Sequence, residues 1–221
     1  VITIDGPAGS GKTTLGRGLA TTLGLPLVDT GLFYRGVMVA AARAGIGPDD
    51  RDALIDCARR TEVVIDTDPG HKGAAWVDGI QAGPALRDPA NAPLLAAMSS
   101  IPEVRSVLLD AQRQLARNGA VAVGRDCGTV VFPDAQLKLY LDASEDVRAQ
   151  RRASQLRGSG TPADTALMRG EVGARDLQDA TRSAAPMRPA PDAYVLDTGV
   201  LGIDEVVRTA LELWAASSTA A

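Results

Sequence analysis

The run Gly6-Pro7-Ala8-Gly9-Ser10-Gly11-Lys12-Thr13 constrains this chain more than any other stretch. It fits G-x-x-x-x-G-K-T, and its surroundings supply the context the pattern needs. Val1-Ile2-Thr3-Ile4 reads as a buried strand before it, and residues 15–23 read as a helix after it. Glycines let the backbone curl so that several N–H groups face one phosphate, and the following helix adds its positive N-terminal end. Lys12 supplies a mobile positive charge for terminal phosphates, and Thr13 a hydroxyl suited to Mg2+. Only three lysines occur in the chain, Lys12, Lys72 and Lys138, so one at this position by accident is improbable. The motif implies that a nucleoside triphosphate is bound here.

At 221 residues the chain suits one domain with an insertion and is long enough to bury a core. A net charge of −4 and a pI of about 5.1 argue against a nucleic-acid or anionic-membrane surface. Arginine heavily outnumbers lysine, and arginine is the better fork for phosphate and carboxylate oxygens. Cys57 and Cys127 are far apart without metal spacing, which reads as two reduced packing residues of a cytoplasmic protein. No run approaches the ~18 apolar residues of a membrane span. The chain opens at Val1 inside a strand without an initiator methionine, which is compatible with residues preceding it, a targeting segment included.

Periodicity organises the rest. Leu27-Val28 form a second strand ending in Asp29-Thr30-Gly31, and a helix follows to about 44, with Thr30 or Asp29 able to cap it. Strand ends facing helix starts are where open α/β sheets place ligands, so Thr30, Tyr34 and Arg35 are candidates for a second anionic group; core packing is the plainer role for Tyr34. Asp49 or Asp50 caps a third helix to about 60. Residues 61–86 then alternate around the turns Asp68-Pro69-Gly70 and Asp78-Gly79, predicting small antiparallel strands in an inserted subdomain. His71, the only histidine, reads as a solvated turn residue.

Residues 91–100 and 102–118 read as helices, with Gly119 ending the second. Residues 120–123 form a buried strand leading into Gly124-Arg125-Asp126-Cys127-Gly128-Thr129, a second ligand-facing loop. Another strand over 137–141 precedes a helix capped by Ser144 that carries Arg148, Arg151 and Arg152. Four arginines and no acid occur between 148 and 157, beside Gly158-Ser159-Gly160, which suggests an exposed closing lid. A polar helical stretch through Arg175, Asp176, Asp179 and Arg182, a proline-marked loop, a strand over 193–196 and an amphipathic helix over 203–214 complete the chain. Its tail, 215–221, is expected to fray. Five strands alternating with helices predict an α/β fold: a five-stranded parallel sheet with right-handed crossovers, flanked by helices. The divisions are a core of 1–60 and 87–221, a lid at about 151–182 within it, and the insertion at 61–86.

With these parts in place, the whole chain resembles the bacterial cytidylate kinases of the nucleoside monophosphate kinase family. The most specific segments are Ile4-Asp5-Gly6-Pro7, Asp29-Thr30-Gly31 with Tyr34-Arg35, and GRDCGTVVFPDA over 124–135. Ala185-Pro186-Met187 through Pro189-Ala190 to Asp192-Ala193, then Leu196-Asp197-Thr198, is also similar. The resemblance implies transfer of the γ-phosphate of ATP, with Mg2+, to CMP or dCMP, by a monomer acting on small nucleotides alone. It implies that Gly6, Ala8, Gly9, Ser10, Gly11, Lys12, Thr13 and Thr14 hold the ATP phosphates, and that Arg151 reaches ATP from the lid. It places Thr30, Tyr34, Arg35 and Arg125 at the acceptor and its phosphate, Arg105, Asp126 and Arg182 at the cytosine edge, and Arg175 and Asp179 at the sugar. Lys12, Arg125 and Arg151 are the residues expected to act in the transfer, and the insertion is expected to close over the monophosphate. An acceptor carboxylate beside two arginines suits an edge presenting an amino group, a ring nitrogen and a carbonyl.

Three positions depart from the family pattern. Ala96 stands where a serine helps read cytosine, Val123 where an acidic residue stands near Mg2+-bound water, and Gln178 where a lid arginine is frequent. They keep open a kinase for a modified nucleotide or another phosphorylated metabolite. A non-catalytic nucleotide switch would call for a water-positioning glutamine or an Asn-Lys-x-Asp guanine reader, and the sequence contains neither motif.

Overall fold

The computed structural model describes residues 1–158 and 164–219. Its centre is a five-stranded sheet of β1 (Ile2–Asp5), β2 (Leu27–Asp29), β6 (Val121–Val123), β7 (Leu137–Asp142) and β8 (Tyr194–Asp197), ordered β2-β6-β1-β7-β8. Every neighbouring pair is parallel, with Ile4 opposite both Val123 and Leu139, and Asp29 opposite Val123. β1 is therefore central, and both loops that follow β1 and β6 emerge at the same sheet end.

Alternation along the central strands divides the core in two. Ile2, Ile4, Val121, Val123 and Leu139 join Leu15 and Leu19 of α1 (Lys12–Leu23) and Val206 and Ala210 of α8 (Ile203–Thr219) on one side. Ala120 and Ala122 face the other side, where α2 (Gly31–Arg43), α3 (Arg51–Arg60), α4 (Ala92–Ser99) and α5 (Pro102–Gln114) contribute Phe33, Met38, Leu54, Met98 and Leu108. Truncating one such residue to alanine typically costs ~2–5 kcal/mol. Asp50 caps α3 by accepting from the Ala53 amide at 3.1 Å.

Between α3 and α4 lies a second sheet, antiparallel, of β3 (Val63–Ile65), β4 (Ala75–Val77) and β5 (Ile80–Gln81). Gly36 of α2 is the seat for Val63, because a Cβ there would approach Val63 Cγ1 to 2.6 Å. His71 is exposed in the turn between β3 and β4, with Nδ1 2.7 Å from Asp66 Oδ2.

Three boundaries differ from expectation. α5 stops at Gln114, and residues up to Gly119 form tightened turns, with Ala116 N donating to Arg113 O and Gly119 N to Ala116 O. α8 continues to Thr219 because Ala215 and Ala216 favour helix and the Ser217 hydroxyl folds back on Trp214 O. The tail is thus helical up to that point, and residues 220–221 lie outside the described residues. One turn of π-helix, Cys127–Val131, follows β6 unannounced by any periodicity.

After β7, α6 (Glu145–Gly158) and α7 (Thr165–Thr181) pack against each other. Ser144 accepts from Val147 N at 3.4 Å at the start of α6. Ser159 and Gly160, expected as part of a flexible break, lie outside the described residues.

Candidate active site

The phosphate loop leaves β1 through Gly6, whose φ of 141° and close packing admit no side chain: a Cβ would stand 2.1 Å from Leu141 O. α1 then begins at Lys12 with Gly11 as a left-handed N-cap and no side-chain cap, so its first-turn amides are available to an anion. Thr13 and Thr14 are exposed in that turn. Lys12 is half-buried and folds back over the loop, its Nζ donating to Pro7 O at 2.6 Å and to Ser10 Oγ at 3.4 Å. Burial, with Arg125 and Arg175 nearby, pushes the Lys12 amine well below its usual value, against the pull of Asp5 and Asp29.

The helical pair is tied to this loop. Arg148 is buried, correcting its expected place on an exposed lid face. Its Nε donates to Ala143 O at 2.9 Å, and its Nη1 donates to Ala8 O at 3.2 Å and pairs with Asp176 of α7. Asp176 Oδ1 in turn accepts from the Ala8 amide at 3.1 Å. The acid that balances Arg148 lies 28 residues along the chain, invisible to a local count of charges. Arg151 also faces inward: it donates to both Thr198 Oγ1 and Thr198 O, and the Thr198 hydroxyl donates to Ser10 O at 3.0 Å. Arg151 therefore braces the phosphate loop from behind.

Lys12 is within electrostatic reach of Arg125 and Arg175, and Arg175 in turn of Arg35, Arg125 and Arg152. Burial, then Arg175, lower the Arg35 guanidinium to about 10, with Arg87 and Arg152 adding to the effect. Crowding by surrounding protein, with Arg125 and Arg152, lowers Arg175 although its side chain keeps contact with solvent. Like charges gathered this closely call for an anion among them. Arg35 is steadied by donating from Nη1 to Leu86 O at 2.6 Å, which links it to the end of the insertion.

Beside this cationic space runs a chain of alternating charge. Arg105 pairs with Asp126 Oδ2; Asp126 Oδ1 lies 3.5 Å from Arg182 Nη2; Arg182 Nη1 reaches Asp179 Oδ1 at 3.4 Å; and Asp179 Oδ2 accepts from Arg125 Nε at 2.9 Å. The Arg105 guanidinium lies over the Tyr34 ring, 5.1 Å from its centroid, a cation–π contact. Burial pushes the Tyr34 phenol up to about 12, so it stays protonated. Arg182 Nη2 is buried and, beyond its 3.5 Å ion pair with Asp126, makes no hydrogen bond among the described residues.

The structure thus brings together Lys12, Arg35, Arg125 and Arg175, and beside them Tyr34, Arg105, Asp126, Asp179 and Arg182. It sets two expected residues behind the site: Arg151 on Thr198, and Thr30, which is buried and gives its hydroxyl proton to Val123 O at 3.0 Å. Sequence reasoning missed Arg152 as the α6 arginine that feels Arg35 and Arg175; the two neighbours in Arg151-Arg152 differ only by 100° of helix rotation, which a sequence does not orient. At Ala96, the backbone oxygen accepts both the Ser99 and Ser100 hydroxyls, at 3.1 and 3.0 Å, so neither neighbouring hydroxyl proton is free to replace a serine there.

With that geometry in hand, relatives are informative. The family model described as cytidylate kinase matches residues 2–216. A cytidylate kinase from Methylocella silvestris is 44% identical over 96% of this chain and 92% of its own. One from Corynebacterium efficiens is 40% identical over 99% and 95%, and one from Rhodococcus opacus 41% over 94% and 91%. Among solved structures, an uncharacterized protein from Eubacterium ventriosum shares the fold at a TM-score of 0.53, with 14% identity and 97% of each chain covered. The phosphate loop, the cationic cleft and these end-to-end matches agree: the chain belongs to the cytidylate kinase family.

Proposed function

We propose that this protein transfers the γ-phosphoryl group of ATP to CMP or dCMP, giving ADP and CDP or dCDP. The observation that carries the reading is the charge-alternating chain Arg105–Asp126–Arg182 placed beside the cluster of Lys12, Arg35, Arg125, Arg152 and Arg175. In transfer, a phosphate oxygen of the acceptor attacks the γ-phosphorus as the bond to the β–γ bridging oxygen breaks and ADP leaves. Such chemistry asks the protein for alignment and charge neutralisation rather than a covalent partner.

Each group then has work suited to its place. The first-turn amides of α1 and Lys12 hold the ATP phosphates, and Lys12 offsets charge growing on the leaving oxygen. Arg35 and Arg125 grip the acceptor phosphate, with Arg152 and Arg175 between the two nucleotides. Asp126 accepts from the cytosine amino group while Arg105 and Arg182 donate to the ring nitrogen and carbonyl; Asp179 and Arg175 meet the sugar. Arg151 and Thr30 act from behind, bracing the phosphate loop and the end of β6.

The cleft also suits Mg2+, a hard cation that takes few protein oxygens and keeps its water. The Thr13 hydroxyl is exposed at the first turn of α1, and Asp29 has one oxygen beyond the Gly31 amide bond to Oδ1. Thr13 and Asp29 would hold the ion, directly or through its water, and it would supply positive charge to offset that of the phosphates. Asp29 is the strand neighbour of Val123, so a carboxylate stands at this sheet end although residue 123 carries none.

The net charge of −4 supports small nucleotides rather than polyanions as partners, and we take the protein to work as a cytoplasmic monomer. No single helix among the described residues is long and apolar enough to cross a membrane. The matches do not favour another phosphorylated metabolite as acceptor. Incubation with γ-labelled ATP and CMP, followed by chromatography, tests the reading: label in CDP is expected, and label only in inorganic phosphate would overturn it.

A further inference from the structure

β1 alternates Ile-Thr-Ile-Asp, and its polar members face a buried side of the sheet rather than water. Asp5 is 4% exposed, and both its oxygens are occupied by backbone: Oδ1 accepts from Cys127 N at 2.8 Å and Oδ2 from Gly128 N at 2.7 Å. Those amides open the π-helical turn Cys127–Val131, which has no side-chain cap of its own because the Asp126 carboxylate is committed to Arg105 and Arg182. The turn in turn fixes the backbone of Asp126, whose carbonyl accepts from Val130 N and Val131 N at 2.9 and 3.2 Å. Gly128 lies so close to β1 that a Cβ would stand 2.9 Å from Thr3 Oγ1 and 3.4 Å from Asp5 Oδ2.

We infer that Asp5 is a positioning residue for the acceptor site: from the strand that feeds the phosphate loop, its carboxylate holds the loop bearing Arg125 and Asp126 in register with the donor. The inference rests on the reading of Arg125 and Asp126 as acceptor groups. A carboxylate can accept from two parallel amides, whereas no neutral side chain of the same shape can. Asparagine would keep one bond and turn an NH2 toward the other amide, leaving a buried N–H unpaired and freeing the turn to shift. Burial raises the Asp5 carboxyl and the two amides oppose that rise, in keeping with a group held for its geometry.

The test measures CMP and ATP-analogue dissociation constants, and the CMP-to-UMP ratio of kcat/KM, for wild type, Asp5→Asn, Gly128→Ala and Asp126→Asn. Asp5→Asn is expected to weaken CMP about tenfold and lower the ratio, while ATP-analogue binding changes less than about twofold. Gly128→Ala, which presses a Cβ against Thr3 and Asp5 and so pushes the turn off β1, is expected to act in the same direction and decides the matter if Asp5→Asn does not fold. Equal losses toward both nucleotides, or an unchanged ratio, would reduce Asp5 to a fold staple and overturn the inference. If Asp126→Asn leaves CMP binding untouched, the acceptor-site reading itself has failed; a loss there without one in Asp5→Asn or Gly128→Ala overturns only the role of Asp5.

Discussion

Arg125 donates from Nε to Asp179 Oδ2 at 2.9 Å, joining the loop after β6 to helix α7. The same carboxylate reaches Arg182 through its other oxygen, so one residue of α7 steadies both arginines, which the proposed reading places at the acceptor phosphate and at the base. Asp179→Asn removes the charge from both contacts. A hydrogen bond to a charged group is worth ~1.5–3 kcal/mol, so CMP affinity is expected to fall about ten- to hundredfold with ATP affinity nearly unchanged. Isothermal titration with each nucleotide checks this, and equal weakening of both would contradict it.

Lys12→Ala is expected to leave a folded protein, since Lys12 is only half-buried and its Nζ contacts are confined to the loop itself. Turnover should fall at least about a hundredfold, because charge on the β–γ bridge is a term often worth ~3 kcal/mol or more. Near-normal turnover in a folded variant would contradict the assignment.

The depressed Lys12 amine adds a proton signature. Between its lowered value and the ordinary lysine value of 10.5, the free protein holds Lys12 partly neutral. ATP phosphates favour the charged form, so binding within that window should take up a proton and affinity should decline as pH rises through it. Calorimetry in buffers of differing ionisation enthalpy measures the uptake, which Lys12→Ala should abolish.

Arg35 and Arg125 lie 90 residues apart in the chain, yet the charge of Arg175 acts together with each of them. Replacing either with Met should weaken CMP binding and turnover together while sparing ATP. Double replacement should cost less than the sum of the single effects, as expected for two groups on one phosphate. Strict additivity would place them on separate anions.

Much of this was legible in advance for a physical reason. The phosphate loop carries its own local mechanics, and strands such as Val121–Val123 announce themselves by unbroken apolar runs. The π-helical turn Cys127–Val131 has no such signature; its opening amides donate to Asp5, more than a hundred residues earlier in the chain. Arg148 was misplaced for a related reason: four arginines without a nearby acid look solvent-facing until α7 folds Asp176 against them. The acceptor residues themselves were reached through family resemblance. Nothing in the spacing of Arg105, Asp126 and Arg182 reveals that they form one buried chain.

Ala96 carries the departure with a measurable consequence. Ser99 and Ser100 both donate to Ala96 O, so their hydroxyl protons are engaged with the backbone instead of standing in for that of a serine at this position. A neutral hydrogen bond is worth ~0.5–1.5 kcal/mol, so Ala96→Ser should tighten CMP binding roughly three- to tenfold and raise the CMP-to-UMP ratio of kcat/KM. An unchanged ratio would mean that Arg105, Asp126 and Arg182 already complete the reading of the base.

The most direct measurement of the whole account is ADP release with ATP and each of CMP, dCMP, UMP and AMP under identical conditions. In the proposed reading the Asp126 carboxylate meets the cytosine amino group at one end of the edge, and the Arg105 and Arg182 donors paired with it meet the ring nitrogen and carbonyl, whereas uracil brings a carbonyl against Asp126. The account predicts the highest kcat/KM for CMP or dCMP, a lower value for UMP and little turnover of AMP. Preferred turnover of UMP or AMP, or no turnover of CMP and dCMP, would contradict it.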